Sequence, residues 1–210
     1  MNKGVLVVVS GFSGAGKGTI MKALLEKYDE YALSISATTR QPRLGEQEGV
    51  EYFFKTRDEF EVMIKQNELV EWAEYVGNYY GTPKSYVEAC LKEGKNVLLE
   101  IEMQGGMLVK EKYPDAVLVF ITTPSAEMLH RRLAGRGTEN SGVIRKRMLR
   151  ASQEADYMKQ YDYIVVNDVL EEAVVQVHTI IQSEKRKTKY CIPFINQIKQ
   201  ELLDLKKGYE

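Results

Sequence analysis

The sequence has little of what marks secreted, membrane or metal-binding proteins. Its 210 residues include only two cysteines, Cys90 and Cys191, and these form no metal or redox motif. No apolar run approaches the roughly 20 residues of a membrane-spanning helix. No signal-peptide pattern precedes the first predicted strand. We therefore expect free thiols, a cytoplasmic location and no membrane partner.

Neither sign of charge dominates the chain. Lysine plus arginine number 29 against 30 for aspartate plus glutamate, which leaves a formal charge of −1 at pH 7. This balance gives no reason to expect a nucleic acid or an anionic membrane as partner. The length and the 44% of hydrophobic residues are ordinary for one globular domain.

Short apolar runs alternate with helical patterns along most of the chain. Runs at residues 5–9, 97–99, 116–121 and 163–166 are typical of strands buried on both faces. Helices are predicted between them, including one that begins near Thr19 and one that ends before Gly94. Such alternation predicts an α/β fold with a parallel central sheet flanked by helices.

Two regions interrupt this alternation, and they divide the single domain that we predict. Residues 33–83 are strand-like and polar, which predicts a small antiparallel insert. Residues 125–157 concentrate arginine around Gly135 and Gly137, which predicts a hinged helical lid. The core is then residues 1–32, 84–124 and 158–187.

The tail, residues 188–210, forms a separate segment. Its residues Ile195, Ile198, Leu202 and Leu205 fall on one face of a helix. We expect a packed or partly ordered C-terminal helix, with a partner-binding helix as the alternative. The sequence leaves monomer and homo-oligomer open.

The first predicted strand runs into a glycine-rich turn and then a lysine. This is nearly the phosphate-loop pattern G-x-x-x-x-G-K-[S/T], whose backbone N–H groups surround phosphate oxygens while the lysine adds a positive charge. Gly18 stands where the pattern has a hydroxyl, which suits a magnesium ion held mainly by ATP and water. The expected nucleotide-binding residues are Gly11, Phe12, Ser13, Gly14, Ala15, Gly16, Lys17, Gly18 and Thr19.

A series of further motifs follows the loop in a fixed order. They are SATTRQPR at residues 36–43, GNYYG at 77–81, EIEMQG at 100–105, GRGT at 135–138 and VND at 166–168. Two arginines three apart beside hydroxyls match phosphate oxygens. With this series the chain resembles the guanylate kinase family from the loop to about residue 170.

The resemblance implies transfer of the γ-phosphoryl group of ATP to GMP, with Mg²⁺ present. We expect activity on dGMP as well, because no residue in the sequence is evident that reads the 2′-hydroxyl. It also implies residue roles. Arg40, Arg43, Tyr52 and Tyr80 would hold the GMP phosphate; Ser36, Glu71, Thr82 and Glu102 would read guanine; Arg132, Arg136 and Arg147 would be lid arginines. Lys17 and Arg40 would join these lid arginines in catalysis, Asn167 would lie near adenine, and Glu100 would reach the metal through water.

The chemistry of guanine agrees with these roles. Carboxylates only accept hydrogen bonds, so Glu71 and Glu102 suit the N1–H and the amine, while a hydroxyl of Ser36 or Thr82 suits O6. The strand predicted at residues 97–99 is followed by two acidic residues, Glu100 and Glu102, and both are glutamate. The sequence therefore leaves open which of them binds a water molecule of the metal ion and which reads guanine.

Three other functions are alternatives for this sequence. A sister kinase for another phosphate acceptor should lack the guanine-reading acids and the tyrosine pair. A non-catalytic guanylate-kinase-like interaction domain typically erodes the phosphate loop, which is intact here. A GTPase is disfavoured by Gly18 and by the lack of an Asn-Lys-x-Asp motif.

Overall fold

The computed structural model describes residues 4–75, 77–135 and 141–209. Its strands are β1 (Leu6–Gly11), β2 (Tyr31–Leu33), β3 (Ser36–Thr38), β4 (Tyr52–Phe54), β5 (Leu69–Tyr75), β6 (Asn78–Pro83), β7 (Asn96–Glu100), β8 (Val117–Thr122) and β9 (Tyr163–Val166). Its helices are α1 (Lys17–Lys27), α2 (Arg57–Lys65), α3 (Lys84–Lys92), α4 (Met103–Lys112), α5 (Ala126–Ala134), α6 (Ser141–Glu154), α7 (Leu170–Lys185) and α8 (Ile192–Lys207).

A five-stranded sheet in the order β2-β7-β1-β8-β9 forms the centre of the molecule. Every neighbouring pair in it is parallel, which confirms the predicted parallel sheet. Its strands are short runs of valine, leucine and isoleucine, and Val7, Val8, Leu98 and Leu118 are fully buried. Parallel strands need helical crossovers, and these helices shield both faces of the sheet from water.

The strand order creates a crevice at the carboxyl ends of β1 and β8. After β1 the chain continues to β2 on one side of the sheet, and after β8 it continues to β9 on the other. Ligands of open parallel sheets bind where the connections diverge in this way. The predicted phosphate loop leaves β1 at this point.

The insert differs from the prediction in two respects. Its sheet, in the order β4-β3-β6-β5, is mixed, because β3 pairs in parallel with β4 while β6 is antiparallel to both β3 and β5. The long connection through residues 39–51 returns the chain to the end where β3 starts, so β4 runs in the same direction. The helix α2 was not predicted, although Thr56 and Glu59 form a capping box that marks its start.

The insert has a small hydrophobic core of its own. Ala37, Phe60 and Leu69 are buried in a cluster separate from that of the central sheet, with Met63 and Ile64 packed against it. On this basis we propose that residues 33–83 pack as a unit distinct from the core.

The predicted lid and tail give mixed outcomes. In the lid, α5 contacts α6, but the expected hinge falls mostly on residues 136–140, which lie outside the described residues. In the tail, α8 is a helix and none of its residues is buried, so its apolar face does not pack into the core of this chain. In the described ranges, no helix is both long and apolar enough to cross a membrane.

We predict that Phe60→Ala loosens the insert and leaves the central sheet intact. Phe60 is the largest buried side chain of the insert cluster, and truncation of such a side chain costs about 3–5 kcal/mol. Hydrogen exchange read by mass spectrometry should show lost protection in β3, β5 and β6 only. Val62→Ala on the same helix, where Val62 is exposed, is the matched control. Equal loss in β1 and β8 would contradict a separate unit.

Candidate active site

The phosphate loop connects β1 to α1 in the crevice of the central sheet. Gly16 closes it in the left-handed region, with φ of 90°, and a Cβ there would lie 2.4 Å from Asn167 Nδ2. Only glycine fits this close approach without strain. The helix α1 starts at the next residue, so its N-terminal N–H groups and positive dipole end face the loop.

Lys17 holds its ammonium group across the loop. Its Nζ donates to the carbonyl oxygens of Gly11 and Phe12, at 2.8 and 3.2 Å. The charge is therefore already at the mouth of the loop, where it can attract the oxygens of a nucleotide phosphate.

Asn167 braces the same loop from the end of β9. Its side chain is 5% exposed, and its Nδ2 donates to the Ala15 carbonyl at 2.8 Å. Its backbone N–H donates to the Thr122 carbonyl, also at 2.8 Å. The amide thus fixes the loop against two strands of the core, and the expected contact with adenine stays a prediction.

Two of the three expected lid arginines lie against the loop. The Arg147 guanidinium donates to the Ser13 hydroxyl. Arg132 donates to the Asp168 carbonyl at 3.4 Å, and its Nη1 lies 3.9 Å from the Cβ position of Gly16. The third, Arg136, lies outside the described residues. Cations from α1, α5 and α6 therefore converge on one anion-binding loop.

Glu100 faces the start of α1 from the end of β7. A Cβ at Gly18 would lie 3.8 Å from Glu100 Oε2, which is an ordinary contact. The carboxylate opens into the cleft, but surrounding protein atoms desolvate it and raise its pKa, while the charge of Lys17 acts in the opposite direction. Within the described ranges no cluster of three metal-ligating side chains occurs. One carboxylate beside a phosphate loop fits Mg²⁺ held mainly by phosphates and water.

Glu71 and Thr82 form a buried polar pair in the insert. They are 6% and 1% exposed, and Thr82 Oγ1 donates to Glu71 Oε1 at 2.7 Å. Burial raises the pKa of Glu71, an effect partly offset by the Thr82 hydroxyl. The Thr82 hydroxyl is therefore engaged by the carboxylate, and the expected contacts of Thr82 and Ser36 with guanine stay predictions.

The residues expected at the GMP phosphate lie on two strands of the insert and in the loop that follows β3. Ser36 of β3 is in register with Tyr52 of β4, and the rings of Tyr52 and Tyr80 are 6.1 Å apart. The Arg40 guanidinium lies 5.3 Å from the centre of the Tyr52 ring. Arg43 is exposed in the loop that follows. The structure thus brings Arg40, Tyr52 and Tyr80 together around one position.

Glu46 occupies this cluster and was missed by the sequence analysis. Arg40 Nη2 donates to both of its carboxylate oxygens, at 2.9 and 3.0 Å, and the Arg43 N–H donates to one of them at 2.8 Å. These bonds hold the pKa of Glu46 below its usual range. An acidic residue six positions away in an irregular loop gives no periodic signal that predicts the contact.

Arg150 is the second residue that was missed. Its guanidinium donates to Glu102 Oε2 and to Glu154 Oε1, so it links the lid helix α6 to the expected guanine reader. It lies one helical turn after Arg147, on the same face. This spacing was a signal available in the sequence. Glu102 therefore engages the lid, while Glu100 faces the phosphate loop.

The fold and this loop define the class of protein. A parallel sheet whose first strand ends in a lysine-bearing phosphate loop, covered by arginines from a helical lid, is the core of a P-loop kinase. Comparison with known proteins then gives the family. The family model for guanylate kinase matches residues 3–184, and the chain belongs to this family.

Individual relatives agree with this assignment. The chain is 50% identical over 205 residues to a guanylate kinase of Clostridium perfringens, covering 98% of this chain and 92% of that one. It is 49% identical over 192 residues to the guanylate kinase of Bacillus subtilis, with 91% and 94% covered. Among solved structures, the guanylate kinase of Anaplasma phagocytophilum superposes with a TM-score of 0.69 at 34% identity, covering 89% of both chains.

We predict that Glu71→Gln raises the free energy of unfolding at pH 7. Between the ordinary carboxyl pKa and the raised pKa of Glu71, the folded chain binds more protons than the unfolded chain. The natural chain therefore loses stability as pH rises through that window, and the variant escapes this loss while it keeps an acceptor for Thr82.

Denaturant titrations from about pH 4 upward measure this effect. The stability gap between variant and natural chain should widen with pH and then stay constant. Glu68→Gln, at an exposed position just before β5, should show no such gap. A stability gap of the same size in Glu68→Gln would show that the buried Glu71–Thr82 pair is not its cause.

Proposed function

We infer that the protein is a guanylate kinase, which transfers the γ-phosphoryl group of ATP to GMP and yields ADP and GDP. The observation that carries this inference is the buried Glu71–Thr82 pair, which lies in the same insert as the Arg40 cluster. The insert offers a base-reading carboxylate and a phosphate-binding arginine, and the core offers a second phosphate site. We propose that the reaction belongs to purine nucleotide metabolism in the cytoplasm.

The carboxylate of Glu71 accounts for selection of guanine. It accepts from the N1–H and the exocyclic amine of guanine, whereas adenine would place a lone pair at N1 against it. A buried acceptor without its donor costs a few kcal/mol, which is enough to reject AMP. We assign Ser36 to O6, because the Thr82 proton is held by Glu71, and Glu102 to the outer part of the donor edge.

Arg40 and Glu46 account for binding of the GMP phosphate. Two anionic oxygens of the phosphate can replace the two oxygens of the Glu46 carboxylate that Arg40 holds at 2.9 and 3.0 Å. We propose that the phosphate displaces this carboxylate from Arg40 and takes further bonds from Arg43, Tyr52 and Tyr80. Glu46 then serves to orient Arg40 before GMP arrives.

The transfer step needs positioning and charge neutralisation. An anionic oxygen of the GMP phosphate forms a bond to the γ-phosphorus, and the bond from this phosphorus to the β,γ-bridging oxygen breaks in line. Lys17, Arg132 and Arg147 neutralise the charge on the transferred group, and we expect Arg136 to join them. Mg²⁺, when bound with ATP, would neutralise β- and γ-oxygens. Glu100 would hold one of its waters.

The direct test is ADP formation from Mg-ATP with GMP, dGMP, AMP, CMP, UMP and dTMP in parallel. We expect turnover with GMP and dGMP only, because the donor edge of guanine is the feature that the site reads. Turnover with another base, or with none while ATP still binds, would contradict the assignment.

Two variants locate the activity in the site. Lys17→Ala should abolish turnover and leave the circular dichroism spectrum unchanged. Glu71→Gln should raise KM for GMP far more than KM for ATP. Equal losses for both substrates would mean that Glu71 does not read the base.

We predict that Arg150→Gln lowers KM for GMP about two- to fivefold. Its ion pair with Glu102 must be broken or shared before guanine binds, and an exposed pair of this kind contributes about 0.5–1 kcal/mol. KM for ATP should not change. Arg145→Gln on the same helix is the control, and a higher KM for GMP in Arg150→Gln would show that the pair assists binding instead.

A further inference from the structure

The helix α8 presents an apolar face that is exposed to solvent. None of its residues is buried, and Ile198, Leu202 and Leu205 are 37%, 61% and 59% exposed. The match to the family model ends at residue 184, before α8 begins. The face takes no part in the nucleotide site, so its role depends on what binds to it.

The apolar residues of α8 follow the spacing of a coiled-coil seam. Ile195, Ile198, Leu202 and Leu205 are separated by alternating steps of three and four residues, and Tyr209 continues the series after the helix. In this seven-residue repeat, positions 195, 202 and 209 are a positions, and positions 198 and 205 are d positions. Side chains at a and d interlock with those of a second helix.

Charged residues beside the seam distinguish the two possible directions of pairing. Glu201 is at a g position, and Lys199 and Lys206 are at e positions. In a parallel pair, each g side chain meets the next e side chain of the other helix, so Glu201 meets Lys206 of the second copy twice by symmetry. In an antiparallel pair with all apolar layers matched, Lys199 faces Lys199 and Glu201 faces Glu201, and like charges repel.

We propose that α8 pairs in parallel with α8 of a second copy of this chain. The first turn is open to a partner, since the flanking Ile192 and Phe194 are 47% and 62% exposed. A 3₁₀ turn at Thr188–Tyr190 precedes α8 and is tied to the core by an ion pair between Lys189 and Asp115. The two cores therefore lie at the same end of the paired helices.

The polar face of α8 favours a protein partner over a lipid surface. It carries Glu201 and Asp204 beside Lys199, Lys206 and Lys207. Helices that lie on anionic membranes instead concentrate lysine and arginine on this face. Mixed charges at e and g positions are typical of helix pairs.

The length of α8 predicts a reversible association. Its 16 residues contain little more than two repeats, and isolated helices of about 12–15 residues are marginal in water. The mass of the full chain should therefore depend on protein concentration. Sedimentation equilibrium over a dilution series should give a mass that approaches twice the 24.0 kDa of one chain at high concentration, and 24.0 kDa after dilution.

Two neighbouring leucines provide a matched pair of variants. Leu202 is on the seam, and Leu203 is exposed beside it at a b position. Leu202→Asp should remove self-association, and Leu203→Asp should leave it unchanged. Turnover with GMP per chain should be the same in both, because α8 lies outside the nucleotide site, and this control shows that both variants fold.

Charge reversal tests the direction of pairing. Glu201→Lys and Lys206→Glu should each raise the dissociation constant about tenfold, and the double variant should recover to near the original value, since two surface ion pairs are exchanged. In an antiparallel pair, Lys206 faces Ile192, and its reversal would have little effect. That result would overturn the parallel arrangement.

Other outcomes would overturn the proposal as a whole. One is a mass of 24.0 kDa at every concentration, and another is equal loss of association in the two leucine variants. A monomeric chain that sediments with phosphatidylserine-containing vesicles, and loses this property in Leu202→Asp, would assign the face to a lipid surface.

Discussion

The register of β1 between β7 and β8 is the constraint on which the rest of the site depends. Val9 is level with Glu100 on one side, and Gly11 is level with Ile121 on the other. The phosphate loop, the acidic end of β7 and the strand that leads to the lid therefore emerge at the same edge of the sheet. A shift of this register by one residue would move the loop and Glu100 out of level with each other, so the close packing of the buried valines and leucines fixes the geometry of the nucleotide site.

The polar groups of the site already have partners within the protein. Lys17 is held by loop carbonyls, Arg40 by Glu46, Glu71 by Thr82 and Glu102 by Arg150. We propose that binding of the two nucleotides is largely an exchange of partners. Each internal bond orients its group in advance, and each must be replaced by a bond of similar quality. An incorrect base fails at this exchange, since a buried group that loses its partner without replacement is costly.

The parts of the fold that could be predicted are those with a periodic or local signal. Strands β1, β7, β8 and β9 are apolar runs, and the phosphate loop has its own spacing of glycines. The parallel pairing of β3 with β4 depends on the path of an irregular loop, which has no period. The contacts of Glu46 and the proton of Thr82 arise from the folded arrangement of several strands. The exposure of α8 also depends on tertiary structure. An amphipathic pattern predicts that a helix has an apolar face, but it does not identify what covers that face.

The brace from Asn167 to the phosphate loop has a consequence for synthesis on the ribosome. The loop is among the first segments to be made, but its Ala15 carbonyl is held by a residue made much later. The neighbours of β1 in the sheet also come from beyond residue 95. The emerging chain thus carries a phosphate-loop sequence without the geometry to use it. The geometry of the loop is therefore complete only after β9 has been made, by which time all of residues 33–83 have already been synthesised.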